Sequence, residues 1–340
     1  MRSIAKESEE NLKALFGNVS VKSGLSPAVV EKDFWVCLTL DYLFLDSPWR
    51  KNLAFKGGTS LSKAFDLIKR FSEDIDLILD WRLLGYGVDE PWRDRSNTQQ
   101  DIFNERANAK SAEFLKSEFV PELKRGLGEI TGRTLDIRMD GSDPNTVVFA
   151  YPCVFTDSSI LREIRIESGS LAAWTPASER TISPYVASFY PALFKRSDVS
   201  VYTVEAERTF WEKVTILHRE AMRTERRGPT PPRYSRHYYD LWCMCSSPVK
   251  KSALGQIGLL DAVVRFKRKF YRCNWAKYEL ATAASISLLP PAGAIGALEQ
   301  DYAHMKNMIF GPKPTFAEIL ETIAGLENEI HALGCVTSQN

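Results

Sequence analysis

The stretch Phe55–Leu79, FKGGTSLSKAFDLIKRFSEDIDLIL, constrains the fold of this chain more than any other. A short apolar run over Asn52–Phe55 ends in two glycines, a helical pattern follows over about Thr59–Lys69, and a second strand pattern occupies Asp74–Leu79. In the predicted helix Leu61, Ala64, Phe65 and Ile68 share one apolar stripe. Alternate side chains of a strand share a face, so Asp74 and Asp76 point together while Ile75, Leu77 and Leu79 point the other way. Two carboxylates held that close repel each other unless a cation sits with them. Hard oxygen ligands with open positions suit Mg²⁺ or Mn²⁺, ions that also grip substrate phosphates.

The residues before the aspartates fit the same picture. Gly57 and Gly58 allow close approach of backbone to a ligand, and free N–H groups at a helix start suit an anion. Thr59, Ser60 and Ser62 add hydroxyls. This is not a Walker A loop, because Lys63 stands in the wrong place for GxxxxGK followed by Ser or Thr. Lys56, Lys63 and Arg70 flank the turn and helix, either as phosphate contacts or as a solvated cationic face.

Around this stretch the chain reads as α+β. Its 340 residues, 44% of them hydrophobic, suffice for two ordinary domains. Helices are predicted over Leu12–Phe16, Ala28–Leu45 and Gln99–Phe119, the last stopping before Pro121, and strands over Thr134–Met139, Thr146–Ala150 and Leu161–Ser168. After about Pro184 only helices are expected: Glu205–Met222, Ser235–Cys245, Gly258–Cys273, Ile295–Ile309 and Phe316–Leu333. The expected division is therefore a mixed sheet flanked by helices over 1–183 and a helical domain over 184–340. Six cysteines form no CxxC pair and read as reduced core residues. The charged N-terminus lacks the apolar core of a secretory signal, and Ile286–Leu298 is too short and too broken by proline and glycine to cross a bilayer. A cytoplasmic protein with no membrane partner is expected.

A net charge of only +1 places any nucleic-acid contact in local patches. One patch is Arg219, Arg223, Arg226, Arg227, Arg233 and Arg236 around a Gly- and Pro-rich loop. The other is RFKRKFYR, Arg265–Arg272, where Phe266, Phe270 and Tyr271 interleave with cations, as base-stacking residues or as core.

In this order the motifs resemble the nucleotidyltransferase (DNA polymerase β-like) superfamily, and more closely the AbiEii/AbiGii toxin family. EKDFWV at Glu31–Val36 resembles the family's N-terminal helix, FKGGTSLSK with RFSEDIDL its first motif, and FWEKVTILHRE with RYSRHYYDL its lysine and aspartate motifs. The resemblance runs over roughly residues 28 to 242; the fifteen residues 59–73 between Gly58 and Asp74 exceed the usual superfamily spacing. It implies a nucleotidyltransferase toxin of a toxin–antitoxin or phage-defence system, paired with an antitoxin, which moves NMP from an NTP onto an RNA acceptor, the tRNA 3′ end, to block translation. Asp74 and Asp76 would hold the metal with a third carboxylate, for which Asp136 and Glu167 compete and Glu167, at its strand end, is favoured. Gly57, Gly58, Thr59, Ser60, Lys63 and Arg236 would contact the nucleotide, and Lys213 would neutralise triphosphate charge. Lys213 also lies on the border of a buried stripe, where a snorkelling lysine is ordinary. Asp240 would orient Lys213 or act as a base, although Arg236 and Asp240 also stand at ion-pair spacing. His237 is read as a packed residue, and Glu31, Lys32 and Asp33 as internal braces. Transfer to a protein side chain, and a catalytically idle nucleotide- or RNA-binding module, are the competing readings.

Overall fold

The computed structural model describes residues 1–157, 160–169 and 176–337. It comprises two compact units: Met1–Ala64 with Ser72–Val204, and Phe65–Phe71 with Glu205–Asn340.

The first unit is built on seven strands: β1 (Leu53–Lys56), β2 (Ile75–Leu79), β3 (Asp136–Met139), β4 (Thr146–Ala150), β5 (Ile164–Gly169), β6 (Ala177–Ile182) and β7 (Val199–Val204). They form one mixed sheet in the order β3-β4-β5-β2-β1-β7-β6. The two strands predicted around the glycines lie at its centre, β1 antiparallel to β2, with β5 parallel to β2 and β7 parallel to β1 on their outer sides. Helices α1 (Glu9–Ser23), α2 (Pro27–Asp41), α3 (Gly57–Lys63), α4 (Asn97–Phe114), α5 (Val120–Thr131) and α6 (Tyr185–Phe189) complete the unit. Phe16, Phe34, Trp35, Phe149 and Tyr151 sit in one buried cluster with the inner faces of β1, β2, β4 and β5.

Three differences from the sequence reading have physical causes. α3 ends at Lys63, and Asp66 takes a positive φ of 52°. The following segment, Phe65–Phe71, leaves the first unit and bonds within the second, Phe71 N donating to Met308 O at 2.8 Å and Phe310 N to Lys69 O at 2.9 Å. Ile68 and Phe71 are thereby buried, and this tertiary burial overrides local helix propensity. Pro121 does not end a helix; it stands in the first turn of α5, where its missing N–H is not needed. The first unit extends through Val204, past 183/184, because β7 pairs with β6 along its whole length and with β1 at Phe55↔Thr203.

The second unit contains α7 (Ala206–Ala221), α8 (Ser235–Cys245), α9 (Pro248–Leu254), α10 (Gly258–Phe270), α11 (Ile295–Met305) and α12 (Phe316–Thr337). The predicted stripe of α7 is fully buried at Phe210, Trp211, Val214 and Leu217, and Trp211 Nε1 donates to Ala253 O at 3.1 Å. Among the described residues no helix is long and apolar enough to cross a membrane.

Candidate active site

In the first unit the glycines and the aspartates are one construction. Gly57 has φ 82°, and a methyl group on it would lie 1.8 Å from Asp76 Oδ2 and 2.6 Å from its Cγ. Only glycine leaves room for the Asp76 carboxylate to lie against the turn. From Phe71 to Leu77 buried and half-buried residues alternate, with Asp74 and Asp76 half-buried between Glu73, Ile75 and Leu77. This is the period-two presentation that the sequence implied, although β2 itself begins at Ile75.

Strand register identifies what shares that face. Asp76 is opposite Lys56 on β1 and opposite Glu167 on β5, so all three project to one side. Asp136 lies two strands away from β5 and bonds Arg138 at 2.7 Å, which removes it from the neighbourhood of Asp76. Arg165, also missed by sequence, stands 3.9 Å from Glu167, bonds Asp140 at 2.7 Å and feels the charge of Asp74.

The hydroxyls and Lys63 have structural duties. Thr59 Oγ1 donates to Asp74 O and shares a 3.0 Å hydrogen bond with Ser72 Oγ, fixing the entry to β2. Ser60 Oγ donates to Gly57 O at 2.9 Å, closing the first turn of α3. Each hydroxyl has one proton, so both donors are spent within the turn. Lys63 is not a solvated cation: its Nζ is buried 2.7 Å from Asp33 Oδ1 and 4.1 Å from the centre of the Tyr185 ring. The three side chains are thus engaged within the protein, and the N–H groups of Gly57 and Gly58 stand at the start of α3.

The buried triplet on α2 braces the construction as expected. Lys32 Nζ lies 2.7 Å from Glu73 Oε2, beside Asp74, and donates to Leu161 O at 3.0 Å. Asp33 holds Lys63 at the end of α3 and accepts from Tyr185 N at 2.7 Å. Glu31 accepts from Val154 N and Phe155 N at 2.7 and 3.1 Å. One helix thus clamps both the glycine helix and the approach to the aspartates.

The oxygen-only donor set of Asp74 and Asp76 fits a hard divalent cation, and the Gly57 cradle fixes one of the two carboxylates. Among the described residues no three His, Cys, Asp or Glu side chains converge on a metal position, so Glu167 is on the right strand and face but does not complete a three-carboxylate cluster.

In the second unit α7 and α8 present a buried ionic network. Lys213 Nζ is 2.7 Å from Asp240 Oδ2 and 3.2 Å from His237 Nδ1. Asp240, with no exposed surface, also receives Arg70 Nε at 2.6 Å and Nη2 at 2.8 Å, and Arg70 Nη1 donates to Phe71 O at 3.1 Å. Burial alone would push the Asp240 carboxyl up, but Arg70 and Lys213 outweigh it and hold it below the usual carboxylate range. Arg70 and Lys213 together engage both carboxylate oxygens, so Asp240 fixes the position of the Lys213 ammonium. Burial, opposed by Asp240, leaves the Lys213 ammonium below its ordinary value. Burial and the neighbouring Lys213 and Arg236 keep His237 well below 6.5, so its neutral ring accepts from Lys213. Asp240 is not paired with Arg236, which makes no ion pair among the described residues but whose charge acts on both Lys213 and His237. Three cations, Arg70, Lys213 and Arg236, thus accompany one carboxylate, an excess of positive charge suited to an anion.

Sequence reasoning missed Arg70 as the partner of Asp240 and set His237 aside. An arginine between the apolar Ile68 and Phe71 was the available signal for Arg70. Of the basic patches, RFKRKFYR exposes Arg265, Arg268 and Arg272 but only one of its three aromatic rings, Tyr271, since Phe266 and Phe270 are buried on the core side of α10. In the other, Arg219 and Arg223 stand 5.1 and 5.0 Å from the ring of Trp275, an aromatic that the sequence reading did not include.

Residues 39–322 match the family model described as nucleotidyl transferase AbiEii toxin, type IV toxin–antitoxin system. Among solved structures, the chain is similar to the MenT4 nucleotidyltransferase toxin of Mycobacterium tuberculosis, at 14% identity and TM-score 0.45 over 94% of this chain and 98% of that one. No curated protein matches the chain. The match spans most of the sequence and both sets of site residues, and the chain belongs to the AbiEii family of nucleotidyltransferase toxins from type IV toxin–antitoxin systems.

Proposed function

We propose that this toxin transfers a nucleoside monophosphate from an NTP onto the 3′ end of tRNA, so that the capped acceptor can no longer be aminoacylated and translation stops. The family supplies the reaction class and the antitoxin partner; the acceptor is our reading. The observation that supports transfer from an NTP is the buried Arg70–Asp240–Lys213 network, with Arg236 beside it, which holds a lysine in one orientation and leaves a surplus of positive charge for phosphates.

In this reading Asp74 and Asp76 hold Mg²⁺ or Mn²⁺, which when bound polarises the phosphoryl group and offsets triphosphate charge. The backbone of Gly57 and Gly58 approaches the phosphates, in a turn whose shape Thr59 and Ser60 fix. Lys213 and Arg236 place positive charge for the leaving pyrophosphate, and Asp240, anchored by Arg70, keeps Lys213 from collapsing onto another partner. The acceptor hydroxyl attacks the α-phosphorus, the bond to pyrophosphate breaks, and the hydroxyl proton leaves to solvent. No side chain of the network is asked to take it, because both carboxylate oxygens of Asp240 are already engaged by Arg70 and Lys213.

The test is incubation of the protein with total tRNA, Mg²⁺ and NTPs labelled at the α- or the γ-phosphate. α-Label in RNA is the expected result. γ-Label in protein would replace the proposal with phosphoryl transfer to a side chain, and binding without transfer would replace it with an idle module.

A further inference from the structure

In the first unit a cavity of about 860 Å³ opens between α4 and the loop that precedes it, apart from the glycine turn and the aspartates in sequence. Phe103, Arg106 and Lys110 line it from one face of α4, at spacings of three and four residues, and Tyr86 and Arg95 line it from the loop. The Tyr86 and Phe103 rings stand 5.1 Å apart and tilted at 53°. Each carries a cation on one face: Arg95 lies 4.0 Å over Phe103 and Lys110 lies 4.3 Å over Tyr86.

Those two cations are held in place by backbone. Arg95 donates to the carbonyls of Glu90, Pro91 and Arg93 at 2.7, 3.1 and 3.2 Å, and Lys110 to that of Leu84 at 3.1 Å. Arg106 differs. Among the described residues it makes no hydrogen bond or ion pair, and its charge acts on Tyr86 across the cavity. Of the two carboxylates in the lining, Glu90 is turned back onto Gly87 N at 3.0 Å, while Asp94 stays exposed. The cavity thus offers an uncommitted guanidinium, two fixed cations, a pair of aromatic rings and one carboxylate that can accept from a base amino group. Its volume lies in the range of small-ligand sites.

We propose that this cavity binds an unpaired nucleotide, with its phosphate on Arg106 and its base against the Tyr86–Phe103 pair. Arginine with aromatic rings is the combination that grips single-stranded nucleic acid. The same chemistry belongs to a nucleotide within an RNA strand and to a free mononucleotide. The proposal concerns binding alone and stands or falls separately from the transfer reaction.

The test uses the full chain, a fluorescein-labelled single-stranded RNA octanucleotide read by anisotropy, and CMP and AMP titrated calorimetrically. Arg106→Gln should weaken the octanucleotide roughly fivefold or more and reduce the salt slope of binding by about 0.7, the loss of one single-strand phosphate contact. Phe103→Leu should weaken it on the order of tenfold, as removal of a stacking platform does. Circular dichroism melting checks both folds; Arg106 is exposed, so its variant keeps the experiment decisive if Phe103→Leu is destabilised. Competition by free CMP or AMP identifies a mononucleotide as the ligand, and its absence identifies a strand; either supports the proposal. No binding of either probe, or unchanged affinity in both variants, overturns it. An effect of Arg106→Gln without any effect of a folded Phe103→Leu overturns the base contact and leaves a phosphate site.

Discussion

Gly57→Ala isolates the link between the glycine turn and the aspartates. The added methyl carbon would lie 1.8 Å from Asp76 Oδ2, about half an ordinary carbon contact distance. The strand cannot retreat, because β2 is held between β1 and β5 with Asp76 in register with Lys56 and Glu167. The carboxylate must therefore swing away, and the φ of 82° must be borne by a residue with a Cβ. The left-handed conformation costs about 1–2 kcal/mol and an off-rotamer side chain about another 1 kcal/mol. Together these lower the melting temperature by roughly 4–12 °C for a unit of this size. The effect on catalysis should be larger, since a misplacement of about 1 Å at a reacting centre costs on the order of a hundredfold in rate. Melting by circular dichroism and transfer of α-labelled NMP to tRNA measure the two quantities on the same preparation. A variant that melts a few degrees lower but keeps wild-type transfer would refute the cradle, as would one that is simply unfolded while Asp76→Asn is not.

Four further outcomes follow from the ionic networks and the metal. Asp240→Asn leaves Arg70 and Lys213 as buried cations without their carboxylate and should lose about 3–5 kcal/mol in urea denaturation. Because the folded-state carboxyl is held below its ordinary 3.8, this stabilisation is fully present above that pH and is lost as pH falls through the folded value, so the gap to wild type should be flat near neutrality and close in acid. Lys213→Ala keeps the Arg70–Asp240 pair, so growth arrest should vanish with little change in melting; a toxic variant would remove Lys213 from the chemistry. Lys32→Met strands Glu73 without the ammonium now 2.7 Å from it and should destabilise by about 3–5 kcal/mol; unchanged stability would show that the α2 clamp is ornamental. Chelation by EDTA should stop transfer and added Mg²⁺ or Mn²⁺ restore it, whereas full activity in EDTA would sever Asp74 and Asp76 from metal binding.

What could be read from the sequence was what depends on a short period. Alternation in SEDIDLIL placed Asp74 and Asp76 on one side because strand side chains repeat every two residues. The stripe of α7 and the limits of α8 followed from helical spacing. Phe266 and Phe270, four apart, carried the same signal, and their burial could have been preferred on that ground. Pairings across long separations left no such trace. Arg70 meets Asp240 170 positions later, and Lys63, expected at the phosphates, meets Asp33 from another helix. The helix after the glycines failed for a related reason: Ile68 and Phe71 gain burial in the second unit that no local window contains. β7 alternates visibly in VSVYTV, but its place depends on parallel pairing with β1 across more than a hundred residues.

The proposed reaction is nucleotidyl transfer to the tRNA 3′ end by a site containing Asp76. It is tested most directly by offering intact and periodate-oxidised tRNA to the wild-type toxin and to Asp76→Asn with α-labelled NTP. The expected result is label in intact tRNA with the wild type alone, and none where the terminal hydroxyls have been destroyed. Equal labelling of both tRNAs, or labelling by Asp76→Asn at the wild-type rate, would contradict it.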